Sequence, residues 1–443
     1  MHNPTPTMTR YERIMLNHSG RSDDAAAQFC DASRAARTKV VAESDADAVI
    51  RDVAAGVAAP ALTGCAIWML FEARRRGLAR LRFLSRDGQV LYELARRLAP
   101  ILGIELDLQY VYSSRLTWSL AATEPSNLDN AAWLFNSFMK SNATDLCSRL
   151  GLSIDEYESL LAASGVSLDP ETRADQIHQA AAMRRFLRTR KVTEAMASRI
   201  SHTRQLLVDY AEQHALTDPA TGLVDAGWTG RMIGSLIQVC RSTGSSSRPH
   251  VLLWGHEPRP SGWTDPAKVV AYVYNTATGQ GLDWRVPDAP FLVESFCMGD
   301  HGIVSGYERE RSGAKVLPIL QSSTNVAAEA WGLRAYRSTL YAFVEALNGA
   351  QTDDLRPMIH GVMDAFWCHP TFDEATVWGA YPYDSDPAGT AIRPLARAIA
   401  EPRIARGDRA WLAGSLQLST AAARHAYLAT DPNSDLSGAP ATD

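Results

Sequence analysis

The chain has 443 residues, enough for a large core and two or three structural units. Its 21% charged and 46% hydrophobic residues describe a globular protein, and a formal net charge of −5 argues against non-specific nucleic-acid binding. The cysteines (Cys30, Cys65, Cys147, Cys240, Cys297 and Cys368) are scattered without a CxxC pair, and no apolar signal core precedes them, so a cytoplasmic protein with reduced thiols is expected.

In chain order, residues 1–43 read as a loosely ordered N-terminal arm. Ser44 is placed to cap a helix running to about Val57, with Asp45 and Asp47 in the first turn where they complement the helix dipole. The stretch Val53 to Phe71 is uncharged and about long enough to span a bilayer. Its Ala/Gly content and Pro60 predict two buried helical pieces instead, the second from about Ala61 to Arg75. No membrane partner is expected.

Leu81 to Leu84 reads as a strand, Ser85-Arg86-Asp87-Gly88 as a turn, and Gln89 to Leu102 as an amphipathic helix. Glu105 to Tyr112 is a second strand, ending at Ser113-Ser114-Arg115. This βαβ unit implies a parallel sheet whose ligands sit at the carboxyl ends of the strands. Residues 118–215 read as a helical insertion, with Arg184, Arg185, Arg188, Arg190 and Lys191 on a solvated face. The sheet resumes at Gly222 to Asp225, with further strands at His250 to Gly255 and Val269 to Tyr274. The expected α/β core therefore comprises residues 44–117 and 216–320. Residues 281–313 read as loop-rich and acidic. A C-terminal helical region spans 321–430, with helices at Ala327 to Leu347 and Asp353 to Phe366 and an aromatic, proline-rich stretch from Trp367 to Pro387. Residues 431–443 read as a disordered tail.

The densest motif follows the third strand. An apolar run ends on Asp225, and Ile233, Leu236, Ile237 and Cys240 recur at helical spacing, so Ala226-Gly227-Trp228-Thr229-Gly230 is a strand-to-helix turn. Its glycines can direct backbone N–H groups at a phosphate, helped by the helix dipole and the Thr229 hydroxyl. An ordinary left-handed turn is the alternative. The turn is neither a Walker loop nor a dinucleotide GxGxxG motif. In a parallel sheet the three strand ends share one edge, so Ser85–Gly88, Ser114-Arg115 and Asp225–Gly230 can touch one ligand. Arg86 and Arg115 suit a diphosphate through paired N–H···O bonds, and Asp225 suits vicinal sugar hydroxyls. Asp87 either holds Mg²⁺ or shapes its turn. Glu294, Asp300 and His301 are candidates for a catalytic base, although Asp300 and His301 could equally shape a turn. Asp283, Asp288, Glu294 and Asp300 together read either as a site for a cationic acceptor or as a solvated acidic loop.

These residues resemble two groups of enzymes. Leu223-Val224-Asp225-Ala226-Gly227-Trp228-Thr229-Gly230 looks like a divergent form of the loop by which type I phosphoribosyltransferases hold the ribose 5-phosphate of phosphoribosyl diphosphate. That family has two adjacent acids where this chain has Asp225-Ala226. Phe83-Leu84-Ser85-Arg86-Asp87-Gly88, Ser114-Arg115 and Asp225-Ala226-Gly227-Trp228 are more closely similar to transferases from bacterial polysaccharide and natural-product clusters. The resemblance implies a parallel sheet of phosphoribosyltransferase type, Mg²⁺ as cofactor and transfer of a 5-phosphoribosyl group to a hydroxyl. It also implies a separate phosphatase that later removes the phosphate. Neamine phosphoribosyltransferases of ribostamycin-type aminoglycoside pathways, which form 5''-phosphoribostamycin, are the first such enzymes to compare. Two other classes stay open: a hydrolase acting on a sugar phosphate, and a non-catalytic sugar-phosphate-binding protein of a glycan pathway.

Overall fold

The computed structural model describes residues 7–19, 24–131, 133–135, 149–168, 177–244, 248–258, 268–347, 354–384, 392–400 and 410–430. Helices α1 (Arg10–Asn17) and α2 (Ala25–Lys39) open the chain, capped by Thr9 and Asp24. They are not a peripheral arm, because Tyr11, Met15, Phe29 and Cys30 are fully buried in the main core. The alanines of α2 let it approach its neighbours closely, and their weak hydropathy conceals that burial in the sequence. Charge is internal here too: the buried Arg37 bonds Glu12 at 2.9 Å and Asp52 at 3.1 Å.

Ser44 caps α3 (Asp45–Val53), accepting from the Asp47 N–H as expected. A single π-helical turn, Ala54–Ala58, then joins it to α4 (Ala59–Arg75). The two anticipated pieces are thus one long rod with a local defect, and Pro60 sits in the first turn of α4, where a missing N–H is tolerated. Asp45–Arg75 is long and apolar enough to cross a membrane, yet 94% of its most apolar window is buried inside the protein. Its hydrophobicity is that of a central core helix.

The sheet and its connections follow as β1 (Arg80–Leu84), α5 (Gly88–Ile101), β2 (Asp107–Val111) and α6 (Arg115–Ala122). The insertion contributes α7 (Ile154–Ser164), α8 (Ile177–Arg188) and α9 (Arg190–Gln213). It has a small core of its own around Leu128, Tyr157, Phe186 and Met196. Its basic face is only partly solvated, since Arg184 and Arg188 both bond Asp129. The chain returns through β3 (Thr221–Asp225), α10 (Arg231–Ser242), β4 (His250–His256) and β5 (Val269–Asn275). The five strands are all parallel in the order β2-β1-β3-β4-β5. The protein is therefore α/β. Successive residues of β3 and β4 serve opposite faces. Val224, Leu252 and Trp254 join the core under α4 and α5, whereas Leu223, Val251 and Leu253 join the one under α6, α9 and α10.

The region read as loops contains α11 (Ala289–Phe296) and a hairpin of β6 (Val304–Arg309) and β7 (Val316–Leu320). With eight residues, mostly apolar, α11 lacks the periodicity that would mark a helix. Helices α12 (Val326–Trp331) and α13 (Leu333–Glu345) part at Gly332, where φ is 128°. Then come α14 (Arg356–Trp367), α15 (Phe372–Gly379), the strand pair β8 (Pro382–Asp384) and β9 (Ile392–Pro394), α16 (Leu412–Leu418) and α17 (Ala421–Thr430). Several aromatics of this region are core, with Phe296, Phe366, Trp378 and Trp411 buried against one another. The tail expected at 431–443 lies outside the described residues.

Candidate functional site at the carboxyl edge of the sheet

From β1 the chain crosses to β2 on one side and later to β3 on the other. The loops after β1 and β3 therefore diverge at their carboxyl ends, which is the crevice where doubly wound sheets take ligands. Both loops carry the motifs singled out above. The peptides Ser85–Arg86 and Gly227–Trp228 are cis.

The first loop is stitched to its neighbour. Ser85 Oγ donates to the Ser113 carbonyl at 2.7 Å and accepts from the Ser113 N–H at 2.8 Å, while Ser113 Oγ donates to the Ser85 carbonyl. Ser85 thus acts on the loop's shape. Ser114 is likewise engaged, capping α6 by accepting from the N–H groups of Leu116 and Thr117. Arg115 is exposed at the start of α6, and Arg86 is paired with Asp384 of β8 at 2.8 Å. Gly88 opens α5, whose N-cap Asp87 makes no side-chain capping bond.

In the second loop Asp225 accepts from the Ala226 N–H at 2.9 Å. Gly227 has φ 149°, and a Cβ there would lie 2.5 Å from the Gly255 carbonyl oxygen, so only glycine fits. Gly255 in turn makes room for Trp228, whose ring a Cβ would meet at 2.7 Å. Trp228 stacks on Tyr274 with planes 14° apart and donates Nε1–H to Glu294 Oε1 at 3.1 Å. Thr229 is half-buried, and Gly230, with φ 69°, starts α10 without a side-chain cap. Two helices thus present uncapped N-termini to this edge.

Three carboxylates share the edge: Asp87, Asp225 and Glu294. Burial pushes the Asp87 carboxyl up to about 7, reinforced by Glu294 and opposed by Arg86 and Arg115. Burial and the nearby Asp87 hold Asp225 well above the usual carboxylate range, again opposed by Arg115. These mutually repelling acids are flanked by Arg86 and Arg115, and carboxylates displaced in this way cluster at functional sites. Among the described residues, no group of three or more His, Cys, Asp or Glu side chains could hold a metal ion by itself. Mg²⁺ ordinarily needs only one or two carboxylates, the rest of its shell being water and substrate phosphate. Asp87 and Asp225 match that donor set.

The other proposed bases are placed differently. Asp300 accepts from Gln89 at 2.7 Å on one oxygen and pairs with Arg337 of α13 at 3.0 Å on the other. Arg337 also donates to Gln89 and to the Met298 carbonyl, so Asp300 anchors its loop. His301 is 3% exposed, with Nδ1 2.7 Å from the Gly302 carbonyl and Nε2 2.7 Å from Tyr110 Oη. The carbonyl fixes the proton on Nδ1, leaving Nε2 to accept from the phenol, and burial lowers its proton affinity. Both ring nitrogens are thus engaged within the protein. Glu294 alone of the three joins the cluster. Asp283 and Asp288 are exposed.

Sequence reading missed Tyr383 and Asp384. Tyr383 Oη donates to Glu294 Oε2 at 2.6 Å, beside the Asp384–Arg86 pair. Nothing local signals this, because the contact between Arg86 and Asp384 spans 298 positions. No family model matches the chain, and no curated protein matches it. The likeness to phosphoribosyltransferases therefore rests on the motif residues alone.

Proposed function

We propose that the chain is a phosphoribosyltransferase that moves a 5-phosphoribosyl group from phosphoribosyl diphosphate to a hydroxyl of a sugar or aminoglycoside, releasing diphosphate. The observation that carries this reading is the convergence of Arg86, Arg115, two uncapped helix N-termini and the Asp87–Asp225–Glu294 cluster on one sheet edge. Anion-binding groups and carboxylates side by side suit a ligand with both phosphates and sugar hydroxyls.

In this reading Arg86, Arg115 and the start of α5 hold the diphosphate, and Asp225 accepts from the ribose hydroxyls. The turn from Ala226 to Gly230 receives the 5-phosphate. Glu294, oriented by Trp228 and Tyr383 through one N–H and one O–H donor, accepts the acceptor hydroxyl's proton as its oxygen bonds the anomeric carbon. The bond from that carbon to diphosphate breaks in the same displacement, so an α-configured donor gives a β-riboside. Mg²⁺, held by Asp87 and Asp225 together with donor oxygens, would neutralise charge on the departing diphosphate. The negative cluster favours a cationic acceptor such as neamine. The phosphorylated product would need a separate phosphatase. The cysteines Cys30, Cys65, Cys240, Cys297 and Cys368 are free, in keeping with a cytoplasmic setting.

The test is incubation with phosphoribosyl diphosphate and Mg²⁺, with and without neamine or a neutral sugar. Diphosphate release that depends on acceptor supports transfer. Release of inorganic phosphate supports a hydrolase, and neither product supports a binding protein.

A further inference from the structure

Strand β8 lies far from the sheet motifs in sequence, yet its last two residues reach two charged groups of the candidate site, Arg86 and Glu294. Asp384 meets Arg86 Nη2 at 2.8 Å, and Tyr383 meets Glu294 at 2.6 Å. The Asp384 side chain is only 14% exposed and that of Arg86 28%, so their pairing is partly withdrawn from solvent. Arg86 is further confined by Gly299, whose missing side chain would fall 3.0 Å from Arg86 Cβ. An arginine held beside an uncapped helix start, with a carboxylate already on one of its N–H groups, is an anion site with an internal occupant.

We propose that Asp384 sets the affinity of the donor site by competing, through its carboxylate, for the Arg86 N–H group that the donor's diphosphate would take. This deepens the phosphoribosyltransferase reading and rests on it. The chemistry is exchange of one anion for another on a guanidinium: the incoming diphosphate oxygen replaces the carboxylate oxygen, and no covalent bond changes. A carboxylate that remained nearby would also repel the ligand, so removing its charge lowers both barriers to binding. Asp384 differs in this from Asp87 and Asp225, which in the proposed reading would also hold Mg²⁺.

Titration calorimetry with inorganic diphosphate and Mg²⁺ tests this without knowledge of the acceptor. Asp384→Asn keeps the side chain's shape and removes its charge, and it should bind diphosphate about five- to tenfold more tightly than the wild type. Asp384→Glu, which restores the charge, should return the affinity towards the wild-type value. The gain must run through Arg86, so it should vanish when Asp384→Asn is combined with Arg86→Gln. Wild-type binding with no gain, or a loss, in Asp384→Asn overturns this inference and leaves the donor reading standing. If neither the wild type nor Asp384→Asn binds diphosphate, the donor reading falls and takes this inference with it.

Discussion

Replacing Asp87 by Asn should stabilise the protein while damaging the site, and the size of the effect follows from the site's electrostatics. The carboxyl ordinarily titrates near 3.8 and is pushed up to about 7 by burial and by Glu294. Between those values the folded chain keeps a proton that the unfolded chain has released. Stability therefore falls as pH rises through this window, and the loss is complete above about 7. A displacement of about three pH units at about 1.4 kcal/mol each amounts to about 4 kcal/mol at pH 8. Asn has the same shape and no charge to desolvate. Urea unfolding in the presence of a chelator, which keeps divalent cations from masking the repulsion, should show Asp87→Asn more stable than the wild type at pH 8. At pH 4 the two should be nearly equal. Donor binding should weaken in the same variant, because the charge that burdens the fold is the one proposed to face Mg²⁺. A variant no more stable at pH 8, or equally stabilised at both pH values, refutes the argument that Asp87 sits in an unfavourable field.

Asp225→Ala and Thr229→Val should each weaken phosphoribosyl diphosphate binding about tenfold or more, the loss expected for one charge-assisted hydrogen bond; unchanged calorimetric affinity in both would remove the proposed phosphate turn. Asp300→Asn should lower the free energy of urea unfolding by about 1 kcal/mol or less, since the Arg337 pair is partly exposed, yet leave turnover per folded molecule largely intact, whereas Glu294→Gln should do the reverse. The opposite pattern would restore Asp300 as the base. Gly255→Ala places a methyl against the Trp228 and Tyr274 rings and should cost about 1–3 kcal/mol as Trp228 shifts from Glu294; a wild-type melting curve with wild-type turnover would show that the close approach has no consequence.

Much of the fold was readable because its signals are local. Strand and helix runs around Ser85–Gly88 and Asp225–Gly230 announced a parallel sheet, and the sheet's edge then placed those loops together. The N-terminal helices were misread because α2 is packed through alanines, which carry little hydropathy. Helix α11 was misread because its short apolar run has no period. Within the site, Asp87, Arg115, Asp225 and Glu294 lie as expected near one another, since three of them stand at strand ends. The partners of Asp300 and His301 leave no trace in the sequence either: Arg337 and Gln89 hold the one and Tyr110 the other. Tyr383 and Asp384 were invisible because long-range pairing leaves no local pattern.

The tie between the two ends of the chain governs how the molecule can be made. Tyr11 Oη donates to Glu374 at 2.6 Å and Arg10 pairs with the same carboxylate, across 363 intervening steps of sequence for the tyrosine. At about 5–20 residues per second on the ribosome, roughly 20–70 s separate the synthesis of these partners. Throughout that interval the first helix lacks the acid that satisfies its Tyr11 hydroxyl and Arg10 guanidinium. The large core cannot close either, because α13 and α14 contribute buried residues to the same cluster as α1 and α2. The nascent chain therefore emerges with an uncovered apolar surface, and the growing polypeptide has to be kept from its neighbours until its last third arrives.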